Sequence, residues 1–264
     1  MQKKKLGKTK VEIPEVGLGT WQYRDGVEPL RLGISLGANL VDTAEAYGTE
    51  GTVGKAIDGI SRDSVFIATK VSPHHFHYDD VLRSAESSLK RMNIDSIDLY
   101  QLHWPNSDIP IKETMKAMEY LVKTGKIKHI GVSNFSVAEM KAAQQALASE
   151  EIVSNQVEYN LNNRTIERDI LPYCESQNIT VIAYSPLSRG HIFGGRGSGS
   201  KLLDEAGSKY GKTKSQVALN WLLCKSSVVV IPKSEKSAHV KDNCGASDWR
   251  LREEDVKLIG EGFR

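Results

Sequence analysis

The sequence is poor in cysteine, with 3 in 264 residues, at Cys174, Cys224 and Cys244. They form no C-x-x-C pair and no zinc-ligand spacing, so neither a disulfide framework nor a structural zinc site organises the chain. The three thiols read as small apolar fillers or free cysteines. Long hydrophobic runs are also missing. No apolar stretch approaches the roughly 20 residues needed to cross a bilayer. The basic start M-Q-K-K-K-L-G has no long apolar segment behind it, as a secretory signal requires. Net charge is nearly absent, at +2, so no strong field draws the chain to nucleic acid or anionic lipid. The expected setting is the cytoplasm, the expected partner a small molecule, and the expected state a monomer or weak homo-oligomer. Lys3, Lys4 and Lys5 read as a solvated terminus.

What is present is an ordinary globular composition, 39% hydrophobic and 26% charged. The length suits one large barrel or two modest domains. Residues 3–16 read as a small hairpin. After it, β-branched runs at residues 16–20, 40–42, 65–71, 97–103, 127–132, 152–159, 179–184 and 228–231 alternate with stretches of helical period. The helical stretches are residues 28–37, 50–57, 79–92, 111–124, 137–147, 166–177, 202–210, 215–223, 238–243 and 253–259. Eight βα units of this spacing predict a closed (β/α)8 TIM barrel with an N-terminal hairpin and a short C-terminal helical extension. The rival, an open doubly wound sheet, wants a third glycine before the first helix. V-G-L-G-T at 16–20 is followed by Trp21 where that glycine is needed, so the fingerprint is absent. No linker divides the chain, and residues 1–264 are taken as one domain. The polar, glycine-rich residues 188–200 are the candidate mobile loop.

A barrel gathers every strand's C-terminal end on one face. That face collects Asp42, Tyr47, Lys70 and His103. A buried Lys70 needs an anion, which Asp42 supplies. An ammonium beside Tyr47 favours the phenolate and is expected to lower that tyrosine's pKa, making it a better general acid toward a carbonyl oxygen. His103 is placed to donate to the same oxygen. No serine or cysteine stands among the four, so hydride from a bound cofactor is the natural nucleophile. The plainer alternative for Asp42 and Lys70 is an ion pair that only ties two strands. Ser133 and Asn134 alone would pass as a helix cap. An amide at Gln156, inside a strand, needs a partner. His74, His75 and His77 make an H-H-x-H loop without a cysteine to complete a metal set, and no metal is expected.

The chain resembles the aldo-keto reductase superfamily over essentially its full length. The resemblance rests on D-T-A-E-A-Y-G at 42–48, A-T-K at 68–70, L-H-W-P at 102–105 and G-V-S-N-F at 131–135. It extends through N-Q-V-E-Y-N at 155–160, Y-S-P-L at 184–187 and I-P-K-S at 231–234. It implies an (α/β)8 barrel binding extended NAD(P)H across its C-terminal face and transferring the 4-pro-R hydride. Tyr47 matches the proton donor, Lys70 and Asp42 its supports, and His103 the residue orienting the carbonyl. Ser133, Asn134 and Gln156 match contacts to the nicotinamide carboxamide, and Tyr184 the ring stacked on the nicotinamide. Ser185, Leu187 and Ser188 fall in the segment over the pyrophosphate. Lys233 and Ser234 match contacts to the 2′-phosphate, and Asn243 and Asp242 positions near the adenine. Apart from the resemblance, Trp21 and Trp104 are large apolar groups near the same face and are expected to line the substrate pocket, the plainer alternative being that they plug the barrel top.

The chain departs from that pattern at His239, where many NADP-preferring members carry arginine. Arginine offers a permanent charge and a planar fork; histidine offers neither at neutral pH. NADPH remains the expected cofactor, with NADH also admitted. The chain ends soon after its last helical stretch, and only residues 104–110 separate His103 from the next helix, so a shallow, open substrate pocket is expected. The expected activity is NAD(P)H-dependent reduction of aldehydes, and of ketones or sugar carbonyls, to alcohols. The competing expectations are a nicotinamide-nucleotide-binding redox sensor with little turnover, and a hydrolase or isomerase on the same fold.

Overall fold

The computed structural model describes residues 1–194 and 198–263. Two short strands, β1 (Lys3–Lys5) and β2 (Glu12–Pro14), pair antiparallel as the expected hairpin, Lys3 opposite Pro14. Eight parallel strands follow: β3 (Leu18–Gly19), β4 (Leu40–Asp42), β5 (Phe66–Val71), β6 (Ile97–Leu102), β7 (Ile127–Ser133), β8 (Ile152–Glu158), β9 (Thr180–Tyr184) and β10 (Val228–Val230). They lie side by side in sequence order. The sheet curls shut where Val16 bridges Val230 in parallel and the Gly17 N–H donates to the Val230 carbonyl at 2.8 Å. The helices are α1 (Glu28–Ser35), α2 (Glu50–Ile57), α3 (Tyr78–Met92), α4 (Ile111–Lys123), α5 (Val137–Ala146), α6 (Ile170–Gln177), α7 (Ser198–Tyr210), α8 (Lys214–Leu223), α9 (Ser237–Cys244) and α10 (Glu253–Gly262). The expected barrel, hairpin and C-terminal helices are all formed.

Local chemistry explains the element ends. Helix α3 buries Val81, Ala85, Leu89 and Met92 on one stripe and stops at Asn93, whose φ of 54° is the left-handed conformation that closes helices. Helix α5 begins with a capping box, the Ser136 hydroxyl accepting from the Glu139 N–H and the Glu139 carboxylate from the Ser136 N–H. The cap is thus Ser136, which frees Ser133 and Asn134 from the helix-cap role.

The sequence reading needs correction in four places. The strand expected at 16–20 shrinks to two residues because its flanks are spent on barrel closure. The helix expected at 166–177 is a 3-10 turn, Thr165–Arg168, followed by α6, broken where Asp169 leaves helical geometry at φ −144°. Within the loop expected at 188–200, Ser188–Phe193 is a 3-10 turn and α7 already starts at Ser198; residues 195–197 lie outside the described residues. Lys4 is not solvated terminus. Its ammonium donates to the carbonyls of Leu223, Lys225 and Val228 at 2.7–2.8 Å, fastening the hairpin to the chain entering β10.

Strand alternation sorts the interior into layers. Leu40, Ala68, Leu99 and Ile182 join Leu6 and Ile13 of the hairpin in one buried apolar cluster. Their neighbours Val41, Tyr100 and Ala183 belong to the other cluster, which includes helix residues such as Val81, Leu89 and Met118. One step further along each strand, the inward phase returns with Asp42, Lys70, Gln101 and Tyr184. The apolar floor and the polar layer above it follow from the same period of two.

Candidate active site

Asp42 and Lys70 meet in that polar layer, with 3% and 0% of their surfaces exposed. The Lys70 ammonium donates to Asp42 Oδ1 at 2.6 Å and to the Thr43 carbonyl at 2.8 Å. The other carboxylate oxygen accepts from the Gln156 amide at 2.7 Å and from the Gln101 amide at 3.4 Å. A buried ion pair of this kind holds only when its remaining valences are filled, and two glutamines fill them.

Tyr47 does not sit on a strand. It ends a 3-10 turn, Glu45–Tyr47, released by Gly48 at φ 69°. The turn brings the phenol oxygen to 3.2 Å from His103 Nε2, with the two rings edge to face at 5.3 Å. The Lys70 ammonium lies 5.0 Å from the centre of the phenol ring. Burial and the nearby Lys70 charge push the His103 pKa down to about 4. The imidazole is therefore neutral at physiological pH and can donate one N–H to a third oxygen.

The expected lowering of the Tyr47 pKa is not borne out. Burial raises it above its ordinary value of 10.0, Lys70 opposes that, and Asp42 partly cancels Lys70. The ammonium's nearest partners are a carboxylate and a carbonyl, so the phenol feels a pair rather than a free cation. The phenol stays protonated throughout the neutral range.

Tyr47 and His103 open onto a cleft of about 940 Å³, also lined by Asp42, Ser133, Asn134 and Gln156. Its rim carries Trp21 and Trp104, 41% and 49% exposed. Tyr184, Ser185 and Leu187 form a wall, and Lys233, Ser234, His239 and Asn243 lie along the same cleft. Two expected residues are not on its surface. Lys70 sits beneath Asp42, and Ser188 is instead turned toward the Asn162 amide, 3.3 Å away. Ser133, Asn134 and Tyr184 are linked before any ligand arrives. The Ser133 hydroxyl donates to the Gln156 carbonyl, the Asn134 amide to Ser133 Oγ, and the Tyr184 hydroxyl to Asn134 Oδ1. Lys233 is paired with Glu235 at 3.0 Å, and Asp242 accepts from the Thr213 hydroxyl. His75 and His77 bond to Glu45 and Glu113, and no metal-holding cluster occurs among the described residues. Nor is any helix there long and apolar enough to cross a membrane.

The Aldo/keto reductase family model matches residues 15–261. The chain belongs to that family. Among similar proteins, the methylglyoxal reductase YeaE of Escherichia coli is 36% identical over 263 residues, covering 96% of this chain and 92% of the relative. A glyoxal reductase of Bacillus subtilis is 36% identical over 256 residues, 94% of this chain and 88% of the relative. Among solved structures, the thermostable aldo-keto reductase Tm1743 in complex with the inhibitor epalrestat superimposes with a TM-score of 0.93 at 41% identity, covering 99% of each chain. An aldo/keto reductase from Klebsiella pneumoniae in complex with NADP and acetate gives 0.91 at 36% identity, covering 98% of this chain and 94% of the other. At the level of the family, the activity is NAD(P)H-dependent reduction of carbonyl groups.

Some residues of this reductase's site were missed in the sequence. Gln101 had a signal: it follows Leu99 by two, as Asp42 follows Leu40 and Lys70 follows Ala68. Arg189 had none. Its guanidinium lies 4.8 Å from the centre of the Trp21 ring, a contact between residues far apart in the chain.

His103 gives a testable consequence. Its folded pKa, about 4, lies below the ordinary 6.5. Its contribution to stability is therefore complete above 6.5 and is lost as pH falls from 6.5 through 4. Proton NMR of the imidazole should show no His103 titration between about pH 5 and 8. A His103 titration step centred near 6.5 would mean that neither burial nor Lys70 acts on the ring.

Proposed function

We propose that this reductase converts small aldehydes to primary alcohols, prefers NADPH, and uses Tyr47 as proton donor. The observation carrying this reading is the pairing of the Tyr47 hydroxyl with a neutral His103 at 3.2 Å, above a buried Lys70–Asp42 pair and facing a large cleft. A carbonyl oxygen placed against both groups receives two hydrogen bonds. His103 orients it through a neutral N–H, and Tyr47 supplies the proton that turns the developing alkoxide into an alcohol. As proton leaves, the phenolate forms beside the Lys70 ammonium, which favours it at that moment. Asp42 keeps the ammonium in place and is itself held by Gln156 and Gln101.

The donor set suits a dinucleotide. Amide and hydroxyl groups of Asn134 and Ser133 stand near Tyr184 on one stretch of the cleft, and the cation Lys233, with Ser234, His239 and Asn243, lies on another. NADPH, when bound, supplies the hydride that reduces the carbonyl carbon. Trp21 and Trp104 give the substrate end two half-exposed aromatic faces, and the connection between β6 and α4 is only residues 103–110. An open, apolar mouth with little built-in selection suits small carbonyls, and the activities of the methylglyoxal and glyoxal reductases make 2-oxoaldehydes and dialdehydes the first substrates to try.

The test is cofactor consumption across aldehydes, ketones and sugars with both nicotinamides. Aldehydes should give the highest kcat/KM, and NADPH should outperform NADH. His239→Arg should widen that preference about tenfold, because arginine adds a fixed charge and fork where the exposed imidazole now stands. Tight NADPH binding with no consumption on any carbonyl would replace the catalytic reading with that of a nucleotide sensor.

A further inference from the structure

Tyr47 sits on a short turn and not on a strand. Asp42 and Lys70 are held by strand ladders, whereas Tyr47 hangs on a three-residue turn whose own backbone bond is Tyr47 N–H to the Ala44 carbonyl, 3.0 Å. Something outside the turn must hold it. Glu45, two residues before Tyr47, turns its carboxylate back into the protein with only 9% of the side chain exposed. One oxygen accepts both the Ser72 N–H at 2.5 Å and His75 Nδ1 at 3.0 Å.

The position of Ser72 matters. It follows β5 directly, two residues after Lys70. Glu45 therefore joins the turn carrying the phenol to the strand end carrying the ammonium. Lys70 makes the return connection, donating to the carbonyl of Thr43 just before the turn. His75 covers the carboxylate from the outside, 43% exposed, with Nδ1 also 3.2 Å from the Ser84 hydroxyl of α3 and its ring edge-on to His74. The Ser72 N–H and His75 keep the Glu45 carboxyl below its ordinary pKa against the burial that would raise it, so it is ionised at neutral pH. The H-H-x-H loop thus contributes a hydrogen-bonding partner to Glu45.

We propose that Glu45 and His75 are positioning residues for Tyr47: the Glu45 carboxylate fixes the phenol's turn against the strand end that carries Lys70, and His75 closes that anchor on the solvent side. The inference rests on Tyr47 being the proton donor. Neither residue lines the cleft, so their loss should appear in the proton-transfer step and not in binding.

The experiment measures kcat, aldehyde KM, the NADPH dissociation constant and the solvent deuterium isotope effect for wild type, Glu45→Ala, Glu45→Gln and His75→Ala, with Tyr47→Phe alongside. Glu45→Ala should lower kcat about 10- to 100-fold, the usual cost of displacing a reacting group by about 1 Å, while KM and NADPH affinity change less than about threefold. The isotope effect on kcat should rise as proton transfer becomes limiting. Glu45→Gln keeps an oxygen for the Ser72 N–H and should recover most of the rate. Glu45→Ala leaves a buried donor unpaired and is the variant most prone to misfold. His75→Ala, at a half-exposed site, is therefore the second variant, with a smaller kcat loss and the same rise in isotope effect.

Unchanged kcat in Glu45→Ala and His75→Ala overturns the inference while leaving the proposed function intact. A loss shared equally by NADPH affinity and not recovered by Glu45→Gln overturns it as well, in favour of a general folding role. If wild type consumes no NADPH with aldehydes, or Tyr47→Phe turns over normally, the proposed function fails and takes this inference with it.

Discussion

Replacing Tyr47 by Phe should lower kcat/KM for aldehyde reduction by about 10²- to 10⁴-fold, the range expected for loss of a positioned general acid. The substitution is nearly isosteric. It keeps the ring's edge-to-face contact with His103 and its place 5.0 Å from the Lys70 ammonium. It removes only the hydroxyl and its hydrogen bond to the imidazole, worth about 0.5–1.5 kcal/mol of stability. NADPH affinity should change less than about threefold, so the loss lies in kcat. The raised pKa of Tyr47 shapes the pH profile too. Because burial raises the free enzyme's phenol above its ordinary value, any tyrosine limb in kcat/KM for reduction should lie on the alkaline side of that of a free tyrosine. Turnover in Tyr47→Phe comparable to wild type would remove this hydroxyl as the proton source.

Lys70→Met should produce the largest change in stability. Lys70 is wholly buried and its ammonium is the cationic partner of a carboxylate that is itself 3% exposed. Taking away one member of a buried pair leaves the other charge uncompensated, at a cost of about 3–5 kcal/mol. A typical domain has about 5–15 kcal/mol in total, so urea denaturation should show a large fall in midpoint. The Gln156 and Gln101 amides remain to solvate Asp42, which limits the damage without replacing the charge. Combining Lys70→Met with Asp42→Asn should restore much of the midpoint, because the orphaned charge is gone, yet leave reduction as slow as in the single variant. Two outcomes would contradict this account: an unfolding free energy within about 1 kcal/mol of wild type in Lys70→Met, or activity returning with stability in the double variant.

These two expectations draw on different levels of the molecule. The rhythm of the barrel was legible in the chain because strands and helices are set by near neighbours. β-branched runs with a period of two, apolar stripes such as Val81, Ala85, Leu89 and Met92, and glycines at turns act over a few residues and survive any packing. The same rhythm placed Asp42, Lys70 and His103 at strand ends, and one more step of it would have found Gln101. Where the local pattern was diluted the reading slipped, as at Asp169, which interrupts an otherwise helical run, and in residues 16–20, whose backbone groups serve barrel closure.

The sequence by itself determined the order of strands and helices, the inward phase of each strand and the face on which Asp42, Lys70 and His103 meet, because periodicity and strand ends are properties of the chain. Only the tertiary structure decided which way the Tyr47 pKa moves, which groups complete the shell of Asp42, that Lys4 is drawn into the chain entering β10, and that Glu45 ties the phenol's turn to the end of β5. Each of those depends on distance and burial through space. The sign of a pKa shift is a small difference between the cost of burial and the pull of a cation, and no run of neighbouring residues carries the separation between Lys70, Asp42 and Tyr47.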